Sequence, residues 1–427
     1  MGGEAPPALA ARAGRRLAAA AEAAHSRGDL AGEVGFLDRA VALLGAENPE
    51  GAELLPGLIS ALFESGASDR AEALADRAVS VTASLGLEGA HARARIEREH
   101  IRLSCHPETF RPERSIAVVA EAADRLRALG DGLGLARAAY LKSDLSWLTG
   151  DPVGSYANAE EMLVLARRAG SDFDAATALV FMAWCLVEGP WPASEAIARC
   201  ESLAQQAAAE GERAGELSLL GCRAVLMAMT GRYDEARGDM TRARAGFADL
   251  RLDLMAAYLA LLVALAESLV GDPVAAERAV REAEAMVAGP GDRWYQSMVN
   301  VDFAHAIIAQ GRDEDAIAAV ERIDLVPAPC DLQWMIKRLA GRARVATRAG
   351  DHARAVEEAR SAVAAAEPCG LVLVEADAER TLGEALRASG EIDEARSALG
   401  RALALDEAKQ NLVAAAATRR LLASLGA

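Results

Sequence analysis

The chain has 427 residues, 52% of them hydrophobic, and carries 46 Lys and Arg against 63 Asp and Glu, a formal charge of −17. Apolar content of that size excludes wholesale disorder, and the acidic balance argues against nucleic-acid and anionic-membrane binding, both of which need clustered cations. The length suits two or three globular units or one long repeat array.

The N-terminus, Met1 to Pro7, lacks the basic and apolar regions of a signal peptide, and residues 1–10 read as a disordered or cloning-derived leader. From residue 11 one phrase recurs: an apolar helical run, a Gly, one or two polar residues, then a new run. Its glycines are Gly28, Gly66, Gly150, Gly231, Gly271, Gly311, Gly350 and Gly390, with Gly189 before Pro190 as a proline-containing variant. The spacings are 38, 84, 39, 42, 40, 40, 39 and 40, and the 84 spans two periods with an irregular turn at Cys105–Pro112. Gly suits a helix end because it reaches positive φ without steric cost. First helices precede each Gly, as in Ala175–Val187 and Asp253–Val270. Second helices follow, as in Glu314–Ile323, Ala353–Ala366 and Glu391–Leu405, where Ile392, Ala395, Leu399, Ala402 and Leu403 form one apolar stripe. Leu371–Val374 is the only β-flavoured run.

Two helices cannot bury their stripes alone, whereas stacked pairs share a continuous core. The expected fold is therefore all-α: an α-solenoid of tetratricopeptide-like helix pairs, about ten repeats of about 40 residues, with 11–427 as a single continuous superhelix. The runs Ala175–Val187 and Leu254–Ala266 are too short to span a bilayer. A cytoplasmic location is expected, with the six cysteines as reduced, packed thiols.

The turn phrase with Ala five residues on (Gly231 and Ala236, Gly311 and Ala316, Gly390 and Ala395) resembles the junction of tetratricopeptide repeats. The opening run ARAGRRLAAA (11–20), Leu37–Leu44 and the closing Lys409–Leu422 resemble the C-terminal sensor region of actinobacterial adenylate/guanylate cyclase–AAA ATPase proteins, a MalT-like, STAND-type signalling group. The resemblance covers only the repeat region. It implies a non-catalytic interaction or sensor module of signal transduction or transcriptional regulation, and an upstream ATPase or cyclase domain in a longer relative. The chain reads as either a stand-alone paralogue or the sensor arm of such a protein.

No catalytic signature is present. No His precedes a Glu, none of the three lysines (Lys142, Lys337, Lys409) follows a Gly as a P-loop requires, and there is no GxSxG elbow. Cys105-His106 with His100 is a weak set for zinc, so no metal, cofactor or catalytic residue is assigned. Carboxylates such as Glu97, four residues after Arg93, and Glu379 beside Arg380 read as exposed helix-face charges.

The repeat family's geometry places positions 13, 10, 6 and 3 before each turn Gly on the concave face. That register points Tyr140, Asp144 and Trp147 inward, then a mostly apolar stretch of Leu179, Leu186, Val225, Tyr258, Leu261, Leu265 and Ser268, then Met298, His305, Lys337, Arg344, Asp377, Arg380 and Glu384. Trp184, Trp294 and Trp334 read as packing. An unpaired apolar stripe would suit a peptide, a protein segment or an apolar small effector. The alternatives are a structural scaffold for a multiprotein complex and an unrecognised enzyme using an apolar central cavity. An acidic pair facing a closed cavity would favour the enzyme, an open apolar groove the sensor, and an all-polar inner face the scaffold.

Overall fold

The computed structural model describes residues 7–250, 252–286 and 292–426. Among them every regular element is a helix: ten helix pairs, a single closing helix Leu412–Ser424 and one short insertion, Pro49–Ala52. This is the expected α-solenoid. Of the leader expected over 1–10, residues 1–6 lie outside the described residues, while Pro7–Ser26 is already the first helix. The run Leu371–Val374 opens helix Val372–Ser389 and forms no strand.

Eight of the nine turn glycines adopt positive φ, as at Gly390 (φ 88°), where the Gly N–H bonds Arg387 O and the Glu391 N–H bonds Leu386 O. Those two bonds satisfy carbonyls that a helix end otherwise orphans. Gly189 is the exception, since its proline-flanked turn closes without the left-handed residue. A second series, Gly86, Gly130, Gly170 and Gly211, also at positive φ, joins one pair to the next at the opposite edge.

The chain forms two compact units. Unit 1 comprises 1–145, 158–178 and 289–293, and unit 2 comprises 146–157, 179–288 and 294–427. Within each, alanines fully buried on facing helices allow close approach, as at Ala355, Ala359, Ala395 and Ala398. In helix Ile392–Lys409 the stripe Ala395, Leu399 and Ala402 is buried as expected, but Ile392, on the first turn, stays exposed.

Unit 2 closes upon itself. Trp147 and Cys185 pack in one apolar cluster with Ile336, Ala366, Leu371 and Val374. The Gly370 N–H bonds Gly150 O at 2.8 Å, and the Lys409 ammonium donates to Leu186 O (2.9 Å) and Gly189 O (2.7 Å). Solenoids ordinarily contact only their neighbours in sequence. Here partners some 220 residues apart meet.

Candidate ligand cavity of unit 2

First helices of consecutive pairs turn the same face inward, because residues seven apart lie two turns along one stripe. Helix Leu332–Arg348 thereby presents Lys337 and Arg344 together, helix Arg293–Ala309 presents Asp302 and His305, and helix Val372–Ser389 presents Asp377, Arg380 and Glu384. With Leu265 and Ser268 from helix Asp253–Val270, Glu188 at the end of helix Asp172–Glu188, and Asp406, they line a cavity of about 500 Å³.

Ion pairs between repeats organise its wall. The Lys337 ammonium donates to Asp302 at 2.7 Å and sits 4.4 Å from the Trp334 ring centroid. Arg344 donates to Asp377 at 2.6 Å, while Arg380 bridges Asp377 (3.3 Å), Asp406 (2.7 Å) and the Thr418 hydroxyl (3.0 Å). Burial pushes the Asp377 carboxyl up, but Arg344 and Arg380 more than reverse this and hold it well below the usual carboxylate range. His305 donates Nε2–H to Lys337 O at 2.8 Å and faces Arg344 through Nδ1 at 3.5 Å. Burial and that guanidinium lower it to about 4, so the ring is neutral at pH 7.

Glu188 differs from the other acids. It is 3% exposed, and its Oε2 accepts no hydrogen bond among the described residues. Burial raises its pKa, and the nearby positive charges of Lys337 and Lys409, together with the neighbouring Gln333 amide, offset this only in part.

Of the expected inner-face residues, the cavity brings together Leu265, Ser268, His305, Lys337, Arg344, Asp377, Arg380 and Glu384. The apolar stretch is a correction. Leu179, Leu186 and Val225 are 0% exposed and Leu261 is 2% exposed, so they pack as core and offer no open stripe. Leu179, for example, fills the space above Gly215, where an added Cβ would meet its Cδ1 at 2.4 Å. Met298 is likewise buried, Trp147 belongs to the closing cluster, and half-buried Tyr258 lies edge-on to Tyr295 with ring centroids 5.2 Å apart.

Tyr140 and Asp144 lie in unit 1, beside a separate buried polar cluster. There Arg137 donates to both Glu97 oxygens (2.9 and 3.1 Å) and to Glu64 (2.8 Å), with its guanidinium 5.0 Å from the Tyr140 ring centroid. His25 bridges Glu33 (3.0 Å) and Asp174 (3.1 Å). Burial lowers its pKa, but these two carboxylates raise it to about 11. The expected solvated pairs are therefore corrected too. Glu97 turns inward to Arg137 while Arg93 reaches Glu53, and Glu379, 6% exposed, is held by Arg401.

Glu188, Asp302 and Asp406 were missed as site residues. Asp302 stands nine residues before Gly311, one step off the inward register; Asp406 lies on a second helix, and Glu188 adjoins the irregular turn.

No protein-family model matches the chain, and no curated protein matches it in sequence. Solved structures do resemble it in fold. A Rap protein complexed with competence and sporulation factor is 14% identical, with a TM-score of 0.58 over 84% of this chain and 99% of that one. Yeast Tom70 is 15% identical with a TM-score of 0.41, covering 96% and 89%. A tetratricopeptide repeat protein from Parabacteroides merdae is 13% identical with a TM-score of 0.29, covering 88% and 99%. The likeness to the Rap protein supports the tetratricopeptide-like solenoid.

Proposed function

We propose that the chain is a non-catalytic binding module of bacterial signal transduction whose unit 2 cavity holds a peptide segment or small effector. One observation carries this reading: first helices of successive repeats converge on one cavity of about 500 Å³, within the range typical of ligand pockets. A ligand touching several repeats favours one curvature of the array, and a population shift of that kind is how such a sensor would signal. The resemblance to cyclase–ATPase proteins names a cytoplasmic ATPase or cyclase domain as the recipient of that signal. The Rap complex offers a parallel, since a related fold there is bound to competence and sporulation factor.

The wall's chemistry favours binding over catalysis. Asp302, Asp377 and Asp406 are each engaged by a cation. Among the described residues no helix is long and apolar enough to cross a membrane.

The test is native mass spectrometry of the protein from its own host, wild type against Ser268→Trp, which fills the cavity from an exposed lining position. An adduct on the wild type that is absent from the variant supports the reading. A bare wild-type chain, or the same adduct on both, refutes it.

A further inference from the structure

We infer that the cavity ligand carries an ammonium or guanidinium group, seated against Glu188, on an apolar body lying along Leu265, Leu269 and Leu373. This rests on the cavity being the binding site, and it specifies the ligand class.

The first ground is Glu188 itself. A carboxylate oxygen buried without a donor forfeits the hydrogen bond that would offset its desolvation. The two nearest ammonium groups are committed elsewhere, Lys337 to Asp302 and Lys409 to the carbonyls of Leu186 and Gly189. Neither can turn to Glu188 without abandoning a buried partner. A cation delivered by a ligand satisfies the free oxygen at no such cost.

The second ground is charge. The lining holds five carboxylates (Glu188, Asp302, Asp377, Glu384, Asp406) and four cations (Lys337, Arg344, Arg348, Arg380), and Arg348 is paired with Asp313, which is not part of the lining. His305 contributes no positive charge at pH 7. With these cations committed to the wall's carboxylates, an anionic ligand finds no free partner and would have to displace Asp302 or Asp377 from its cation. The raised Glu188 pKa adds a signature: a cation bound beside the carboxyl lowers that pKa again, so binding is coupled to proton release.

Two sources share this chemistry, a basic side chain of a peptide and a free amphiphilic amine. The experiment is isothermal titration calorimetry on the full chain with four probes: acetyl-leucyl-arginyl-leucinamide, its uncharged citrulline counterpart, hexylamine and hexanol. At least one cationic probe is expected to bind tenfold or more tightly than its neutral counterpart, with heats that change with the ionisation enthalpy of the buffer. Binding should vanish in Ser268→Trp, and the preference should fall to within twofold in Glu188→Gln. Binding of the arginyl peptide alone identifies the peptide source, and binding of hexylamine as well shows that a free amine suffices. Equal affinity of charged and neutral probes overturns the inference while leaving the cavity as a binding site. Failure of all four to bind overturns both. Should Glu188→Gln fail to fold by circular dichroism, the isostere preference and buffer dependence of the wild type still decide.

Discussion

Arg137→Met removes the centre of the unit 1 polar cluster with little change in side-chain length. In the wild type the guanidinium is 8% exposed and makes three hydrogen bonds of 2.8 to 3.1 Å to Glu97 and Glu64, whose side chains are 5% and 7% exposed. Breaking a buried ion pair from one side leaves uncompensated charge and costs about 3–5 kcal/mol. For a unit of this size that lowers the melting temperature by roughly 6–20 °C. Burial already raises the pKa of both glutamates, and without Arg137 only His25, acting on Glu64, still opposes it. Their folded pKa then lies above the unfolded value of 4.5, so the folded state binds more protons and the variant loses stability as pH rises above about 4.5. Thermal melts followed by circular dichroism at pH 5 and pH 7 should therefore show the larger deficit at pH 7. Adding Glu97→Gln should recover part of it, because the two sites are coupled. A single variant melting within 2 °C of wild type at pH 7, or with the same deficit at both pH values, would refute the reasoning.

Further outcomes concern unit 2. Leu261→Ala should destabilise by about 2–5 kcal/mol, and Leu261→Arg should lose helicity in circular dichroism; a folded Leu261→Arg would restore the open apolar groove. Asp331 caps helix Leu332–Arg348, accepts the Trp294 indole N–H at 2.9 Å, and is pushed up by burial from 3.8 to about 7. With more protons bound in the folded state between those values, stability should fall as pH rises from about 4 to about 7 and then level off. Asp331→Asn should flatten that slope in urea titrations. Lys409→Met strips the donors from Leu186 O and Gly189 O, and hydrogen exchange should quicken around 185–191 while residues 310–325 keep wild-type protection; unchanged exchange near 189 would deny the closure its role.

The helices and their stacking were legible because most turns use a left-handed residue, and Gly231, Gly271 and Gly311 advertise it at a fixed period. The inward register placed His305, Lys337, Arg344, Asp377, Arg380 and Glu384 where their side chains line the cavity, and failed for Leu186 and Leu261, which the same rule turned inward but which are core. For Leu186 the reason is closure, since the contact of its helix end with Lys409 spans 223 residues and no local pattern encodes it. The ion pairs were misread for a related reason. Arg137 with Glu97, and Arg344 with Asp377, are separated by 40 and 33 residues, one repeat apart, whereas a search along a single helix looks three or four residues away. Glu188 carried no sequence signal, because its setting depends on where Lys337 and Lys409, 149 and 221 residues away, commit their ammonium groups.

The Lys409 contacts also set a schedule. A ribosome adds about 5–20 residues per second, so the 220 residues between Gly189 and Lys409 take roughly 10–40 s to make. For that interval Trp147 and Cys185 wait without the residues 362–378 that will cover them for most of its length. Nascent chains carry their most aggregation-prone surface in this window, and a chaperone that binds apolar helix faces would find its target there, well before the cavity exists.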